Sequence, residues 1–130
     1  MTEPHMVVSD PFELPEWLAA VDVVWRADTT VVGGAHVAGT LAGSAADQRL
    51  GLDLLAVDAA VPAPVCPEHH RTDAHHAWHR GESLLVEVGA RVTLAVPGHR
   101  FDVDMVCEAL RRFTRAVGAS ASRYSAQIRL

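Results

Sequence analysis

The chain has 130 residues, of which 49% are apolar and 21% are charged, and its formal net charge at pH 7 is −5. This length corresponds to one domain with its own hydrophobic core. The apolar fraction is too high, and the net charge too small, for a disordered chain. No apolar run approaches the roughly 20 residues of a membrane span, and the first residues lack the pattern of a signal peptide. We therefore expect a cytoplasmic protein with no membrane partner.

The charge is unevenly distributed along the chain. Residues 1–99 hold five Arg and thirteen acidic residues, whereas residues 100–130 hold six Arg and three acidic residues. Nucleic-acid binding requires a clustered basic face, so we expect no nucleic-acid partner. The small basic group of Arg111, Arg112 and Arg115 suits a solvated helix surface, or contact with an acidic partner or with the acidic body of a second copy.

The N-terminal region contains one helical pattern. Residues 1–9 show no periodicity, and we expect them to be a loose N-terminus. Asp10 and Pro11 are typical of the N-cap and first position of a helix, and apolar residues recur at helical spacing after them. These features predict a short helix over 11–20.

Five later segments show the alternation of apolar and polar residues that is typical of strands. The predicted strands lie near 21–32, 35–43, 50–57, 83–88 and 92–97. Gly33 and Gly34 favour a two-residue hairpin loop between the first two strands. Between the last two strands, a three-residue loop over 89–91 places all the apolar residues on one face, and we therefore predict that loop.

The region between the third and fourth strands is rich in proline and histidine. Pro62, Pro64 and Pro67 are incompatible with a central strand. We predict an extended crossover over 58–81, with one or two helical turns near its end.

The C-terminal part contains the clearest helical pattern, over 102–117. Asp102 is a suitable N-cap, apolar residues including Cys107 form one stripe, and Gly118 is suited to follow the last turn. We predict an amphipathic helix packed on one face of the sheet, with Cys107 in the core and a short edge strand after residue 124. The predicted fold class is α+β, with about five mostly antiparallel strands in a single domain over 10–130.

The crossover holds a concentration of metal-binding side chains. The candidate ligands are Cys66, His69, His70, His75, His76 and His79. Imidazole and thiolate are natural ligands of Zn²⁺, so a zinc site is one hypothesis, although the spacing matches no zinc-finger pattern. The alternative is a solvated polar segment that is rich in histidine.

No specific catalytic motif occurs in the chain. Its serines lack the G-x-S-x-G context of a nucleophile, and Gly33 and Gly34 are not followed by the Lys of a phosphate loop. The first hypothesis is therefore a non-enzymatic protein-interaction module, which binds a protein partner or forms a homo-oligomer. Metal binding by the cluster at 66–79 is the second, and a small-ligand pocket between the sheet and the helix is the third.

Overall fold

The computed structural model of the protein describes residues 6–60 and 63–129. In these residues eight strands form one mixed sheet: β1 Met6–Val8, β2 Val23–Ala27, β3 His36–Val37, β4 Gly39–Ala42, β5 Arg49–Ala56, β6 Leu84–Val88, β7 Arg91–Val96 and β8 Tyr124–Gln127. The helices are α1 Trp17–Ala20, α2 Glu68–His79 and α3 Val103–Ala116. None of the helices in the described ranges combines the length and apolarity needed to cross a membrane.

The strands follow the order β1-β6-β7-β5-β4-β2-β8, and β3 also pairs with β5. The β5–β7 and β2–β8 pairs are parallel, whereas the other pairs are antiparallel. The fold is α+β, but the prediction of a five-stranded, mostly antiparallel sheet is wrong. Two causes are clear. The three-residue strand β1 is too short to show alternation. After α2 the chain forms the β6–β7 hairpin, and it is the second strand of this hairpin, β7, that lies beside β5 and parallel to it.

The strand predicted over 21–32 is much shorter in the structure. Val21 ends α1, because its N–H donates to the carbonyl of Trp17 (3.2 Å). The stretch over 28–35 is a loop, since Gly33, at φ +82°, donates from its N–H to the carbonyl of Phe101 (3.0 Å). The predicted two-residue hairpin at Gly33 and Gly34 is therefore wrong.

The strand predicted over 35–43 is divided at Ala38. The two parts, β3 and β4, pair with β5 in one unbroken register, so no residue is inserted between them. The ladder is interrupted because the N–H of Gly39 donates to the carboxylate of Asp53 (3.2 Å) and that of Ala38 to the hydroxyl of Thr29 (3.1 Å). A buried polar side chain thus replaces one backbone acceptor at the centre of the sheet.

The β6–β7 hairpin has a two-residue loop, because Val88 pairs with Arg91. Gly89 and Ala90 have φ values of +56° and +66°, as a type I′ turn requires. The predicted three-residue loop over 89–91 is wrong because that prediction assumed only one buried face. The two-residue loop distributes the apolar residues of the hairpin over both faces, and both are covered.

Helices α2 and α3 cover opposite faces of the sheet. Phe113 of α3 packs in one buried cluster with Leu54, whereas Ala74 of α2 packs in another with Leu55. Neighbouring residues of a strand point to opposite faces, so the two clusters lie on the two sides. The packing of the C-terminal helix on one face is confirmed.

Helix α3 matches the predicted range over 102–117 closely. Asp102 accepts a hydrogen bond from the N–H of Met105 (2.7 Å), and Gly118 has a φ of +76°, as predicted. Cys107 is exposed, so the prediction that it lies in the core is wrong. Ala109, which the predicted stripe did not include, is fully buried instead.

The helix predicted over 11–20 is divided into a 3₁₀ turn at Pro11–Glu13 and the single turn α1. Leu14 has an extended backbone (φ −78°, ψ 156°), the conformation favoured for a residue that precedes proline, here Pro15. The interruption leaves the Pro11–Glu13 turn projecting beside β1.

Candidate interaction surface

Helix α2 carries the predicted histidine ligands on different sides. His70 lies on the buried side, whereas His69, His76 and His79 are exposed. The rings of His69 and His70 have centroids 4.0 Å apart. The Nδ1 atom of His70 is buried, and it has no hydrogen-bond partner among the described residues.

His75 attaches α2 to the segment that follows β5. Its Nε2 atom lies 2.8 and 3.0 Å from the carboxylate oxygens of Asp58, which also accepts from the N–H of Gly98 (2.8 Å). Burial raises the pKa of Asp58, but the hydrogen bonds from Gly98 and His75 outweigh burial and lower it overall. In this arrangement His75 is already engaged with a carboxylate.

The Cys66 thiol is buried in the protein core. Its Sγ atom is buried 3.7 Å from the Sδ of Met6, and burial raises the pKa of the thiol to about 11. A zinc ligand must be a thiolate, so this environment disfavours ligation. Across residues 6–60 and 63–129, no three His, Cys, Asp or Glu side chains are grouped so as to hold a metal ion. The six predicted ligands are not brought together.

A buried carboxylate that sequence analysis missed lies at the centre of the sheet. Asp53 accepts from Nε and Nη2 of Arg91 (2.9 and 2.8 Å), from the N–H of Gly39 (3.2 Å) and from His36 (3.3 Å). The side chains of Arg91 and His36 are about half exposed. The available signal was a charged residue inside the apolar run at 52–57, because a buried charge requires a partner.

The donors around Asp53 stabilise the charged form of its carboxylate. Burial alone would raise the pKa of Asp53, but the hydrogen bonds from His36, Arg91 and Gly39 and the charge of Arg91 lower it to about 2. A carboxylate with such a low pKa is a poor general base near neutral pH. Both of its oxygens are already engaged by protein donors.

The two edges of the sheet differ in how they are protected. β8 is flanked by Arg123 and Arg129, and charged side chains discourage further strand pairing at an edge. β1 has no charged residue between Met6 and Ser9. Its residues Val7 and Val8 are 48% and 55% exposed. Within residues 6–60 and 63–129, β1 is therefore the edge strand that is less protected against pairing with another chain.

The turn that follows β1 presents the most exposed aromatic side chain of the described residues. Phe12 is 94% exposed, and the turn that carries it is capped by the Asp10 carboxylate, which accepts from the N–H of Phe12 (2.9 Å). Val7, Val8 and Phe12 are thus three exposed apolar residues within six positions of the chain, with Val7 and Val8 on opposite faces of the edge strand. Such concentrations of exposed apolar side chains are typical of interaction sites.

A groove of about 420 Å³ lies next to this stretch. Val8 and Pro11 form part of its rim, Leu85 is an apolar part of its lining, and Arg115 and Ala116 of α3 line its other side. We call Val7, Val8, Phe12 and this groove the β1 edge surface. Its apolar lining with a few polar groups has the character of a binding cleft.

Arg112 holds the side of the groove in place. Its Nη1 atom donates to the carbonyls of Trp78 (2.7 Å) and Glu82 (2.9 Å), and its Nε donates to Glu108 (3.0 Å). The guanidinium also stacks on the Trp78 ring, 3.5 Å from its centroid. These contacts join α3 to the end of α2 and to the segment that follows it, so the groove is already formed in the free chain.

Comparisons with protein-family models, with curated proteins and with solved structures found no match to this chain. The function is accordingly inferred from the surface just described.

Proposed function

We propose that the protein is a non-enzymatic interaction module that binds a protein partner or a second copy through the β1 edge surface. The observation that carries this proposal is the 94% exposure of Phe12 beside an uncharged edge strand. Leaving a phenylalanine side chain in water instead of burying it costs about 1.5–3 kcal/mol. An interface that covers Phe12 would recover this free energy.

Two further features support binding at this place. An open sheet edge can pair with an extended segment of another chain through main-chain hydrogen bonds, and β1 lacks the charges that would discourage this. The groove beside it is held by Arg112 and so requires little ordering on binding, which reduces the entropic cost of association.

The proposal predicts that Phe12→Ser weakens complex formation at least tenfold, because exposed aromatic anchors are typical hot spots worth about 2 kcal/mol or more. The measurement is native co-purification of the full chain from cells that express it, followed by titration of the recovered complex, homomeric or heteromeric. Val32→Ser is the matched control, because Val32 is 51% exposed and does not line the groove. Complexes that form equally well with Phe12→Ser would contradict the proposal.

Zinc binding at the cluster of residues 66–79 is the second candidate function. The buried Nδ1 of His70, which lies beside His69 and has no partner among the described residues, favours this function. A ring nitrogen without a hydrogen-bond partner can use its lone pair to bind a metal ion. The test is zinc content per chain after dialysis against trace zinc, with His69→Ala and His70→Ala alongside. About one zinc per chain that both variants lose would support the site, and substoichiometric zinc would reject it.

A small-ligand pocket between the sheet and α3 is a third candidate, which retention of a ligand through native purification would reveal. For all three functions we propose a cytoplasmic location. The two cysteines, Cys66 and Cys107, are both free thiols, as is usual in a reducing compartment.

A further inference from the structure

We infer that the partner of the β1 edge surface is a second copy of this chain, with Phe12 of each copy seated in the groove of the other. This inference rests on the proposed function and specifies the partner. The two halves of the contact, a projecting aromatic side chain and an apolar groove, lie next to each other on one chain. A two-fold symmetric dimer requires both halves on every copy, because its interface is formed by the same self-complementary surface of each chain.

The projecting half combines an aromatic side chain with negative charge. Phe12 lies between Asp10 and Glu13 in the sequence, and Glu16 follows three residues after Glu13; all four are exposed. The carboxylates of Asp10, Glu13 and Glu16 form no ion pair with another described residue. The turn therefore presents an exposed apolar ring that is close in sequence to acidic residues without an ion pair in the described part of the chain.

The groove has the complementary chemistry. Arg115 lines it and is exposed, donating to the carbonyl of Gly81 (3.2 Å) without an ion pair to a described residue. Glu82, the acidic residue of the lining, lies 3.9 Å from Arg80. The Oγ of Ser83 is buried at the groove and has no partner among the described residues. The charge complementarity of this lining to a carboxylate beside the ring rests on Arg115, because Arg112 is already paired with Glu108.

The chain does not fill its own groove with this side chain. Pro11 lies at the groove, whereas Phe12, the next residue, is 94% exposed. The cap from Asp10 holds the turn in this orientation. The aromatic ring is therefore available to another molecule.

The test uses two variants that each remove one half of the contact. Phe12→Ser removes the ring, and Ala116→Trp fills the groove from an exposed helix position. Sedimentation equilibrium of the full chain should show a wild-type dimer, and each variant alone should dimerise at least tenfold more weakly. An equimolar mixture should dimerise more tightly than either variant alone, because one of the two contacts is restored in the mixed dimer.

Charge reversal tests the polar part of the same contact. Arg115→Glu should weaken the dimer, and adding Glu13→Arg on the same chain should restore it, since every copy then carries the reversed pair. Arg100→Glu is the matched control, an exposed arginine outside this groove. A mixture of Phe12→Ser and Ala116→Trp that is no tighter than its components would overturn the reciprocal arrangement, as would an unaltered dimer in Phe12→Ser.

The outcomes separate this inference from the proposed function. A wild-type chain that stays monomeric at high concentration, yet captures a different protein in a Phe12-dependent manner, overturns the second copy and leaves the interaction module standing. If the wild-type chain stays monomeric and its complexes with other proteins are unaffected by Phe12→Ser, both the dimer and the interaction module are rejected.

Discussion

Arg91→Met is expected to lower the free energy of unfolding by about 2–3 kcal/mol at pH 7. The variant leaves the Asp53 carboxylate buried with only Gly39 and His36 as donors. Removing one member of a fully buried ion pair costs about 3–5 kcal/mol. The Arg91 side chain is 47% exposed, so water recovers part of that cost. Chemical denaturation of both proteins measures the difference.

The pH dependence distinguishes lost charge pairing from lost packing. The native pKa of Asp53 is about 2, below the ordinary aspartate value of 3.8. A depressed native pKa contributes stability above the unfolded pKa, and this contribution disappears as the pH falls through the native value. The difference between wild type and Arg91→Met should therefore be largest near neutral pH and shrink between about pH 4 and pH 2.

Arg26→Met is the control for removing an arginine from the same sheet. Arg26 donates to the amide oxygen of Gln127 (3.0 Å) and carries no ion pair with a described residue. Its loss should change stability by about 0.5 kcal/mol or less. A cost for Arg91→Met no greater than this, or one independent of pH, would show that the Asp53 pair does not stabilise the sheet.

Gly39→Ala is expected to destabilise the protein by about 2–4 kcal/mol. A Cβ at this position would overlap the indole ring of Trp25, which is fully buried and donates from Nε1 to the carbonyl of Leu52 (2.9 Å). Overpacking a core usually costs about 1–3 kcal/mol. Here the shift of backbone or ring also strains the hydrogen bond from Gly39 to Asp53, which adds to that cost.

Gly34→Ala is the matched control for Gly39→Ala. The atom nearest to a Cβ at Gly34 is the carbonyl oxygen of Thr30 at 3.4 Å, so the added methyl group fits with little movement. Its effect on the free energy of unfolding should stay within about 1 kcal/mol. Equal effects of the two alanine variants in thermal and chemical denaturation would be inconsistent with close packing of Trp25 against the β4 backbone.

The sequence predicts the long elements of this fold better than the pairing between them. α3 was identified from its cap and its apolar stripe, because local signals determine a helix of this length. β1 could not be identified, since a three-residue strand has no period and its partner β6 lies about eighty residues further along the chain. The predicted length of the β6–β7 loop was wrong because it depended on how many faces of the sheet are buried, which is a property of the tertiary structure.

The candidate sites were predictable to different degrees. Histidine density identified α2 as unusual, but the helix turns its histidines in different directions, and only the structure shows that His70 is buried. Asp53 carried a signal, a charge within an apolar strand. Phe12 lies within the helix predicted over 11–20, and no prediction was made for its side chain. The helix is interrupted before Pro15, so the preceding turn at Pro11–Glu13 is separate from α1. This separation leaves Phe12 exposed.

Hydroxyl-radical footprinting of the phenylalanines over a dilution series tests most directly whether Phe12 is a contact residue between copies. Phe101 and Phe113 are buried within each chain, so they serve as internal controls that stay protected at every concentration. The dimer predicts that Phe12 is modified rapidly in dilute wild-type protein and becomes protected as the concentration rises. It further predicts that Ala116→Trp abolishes this protection. Phe12 modified at the same rate at all concentrations would contradict the dimer.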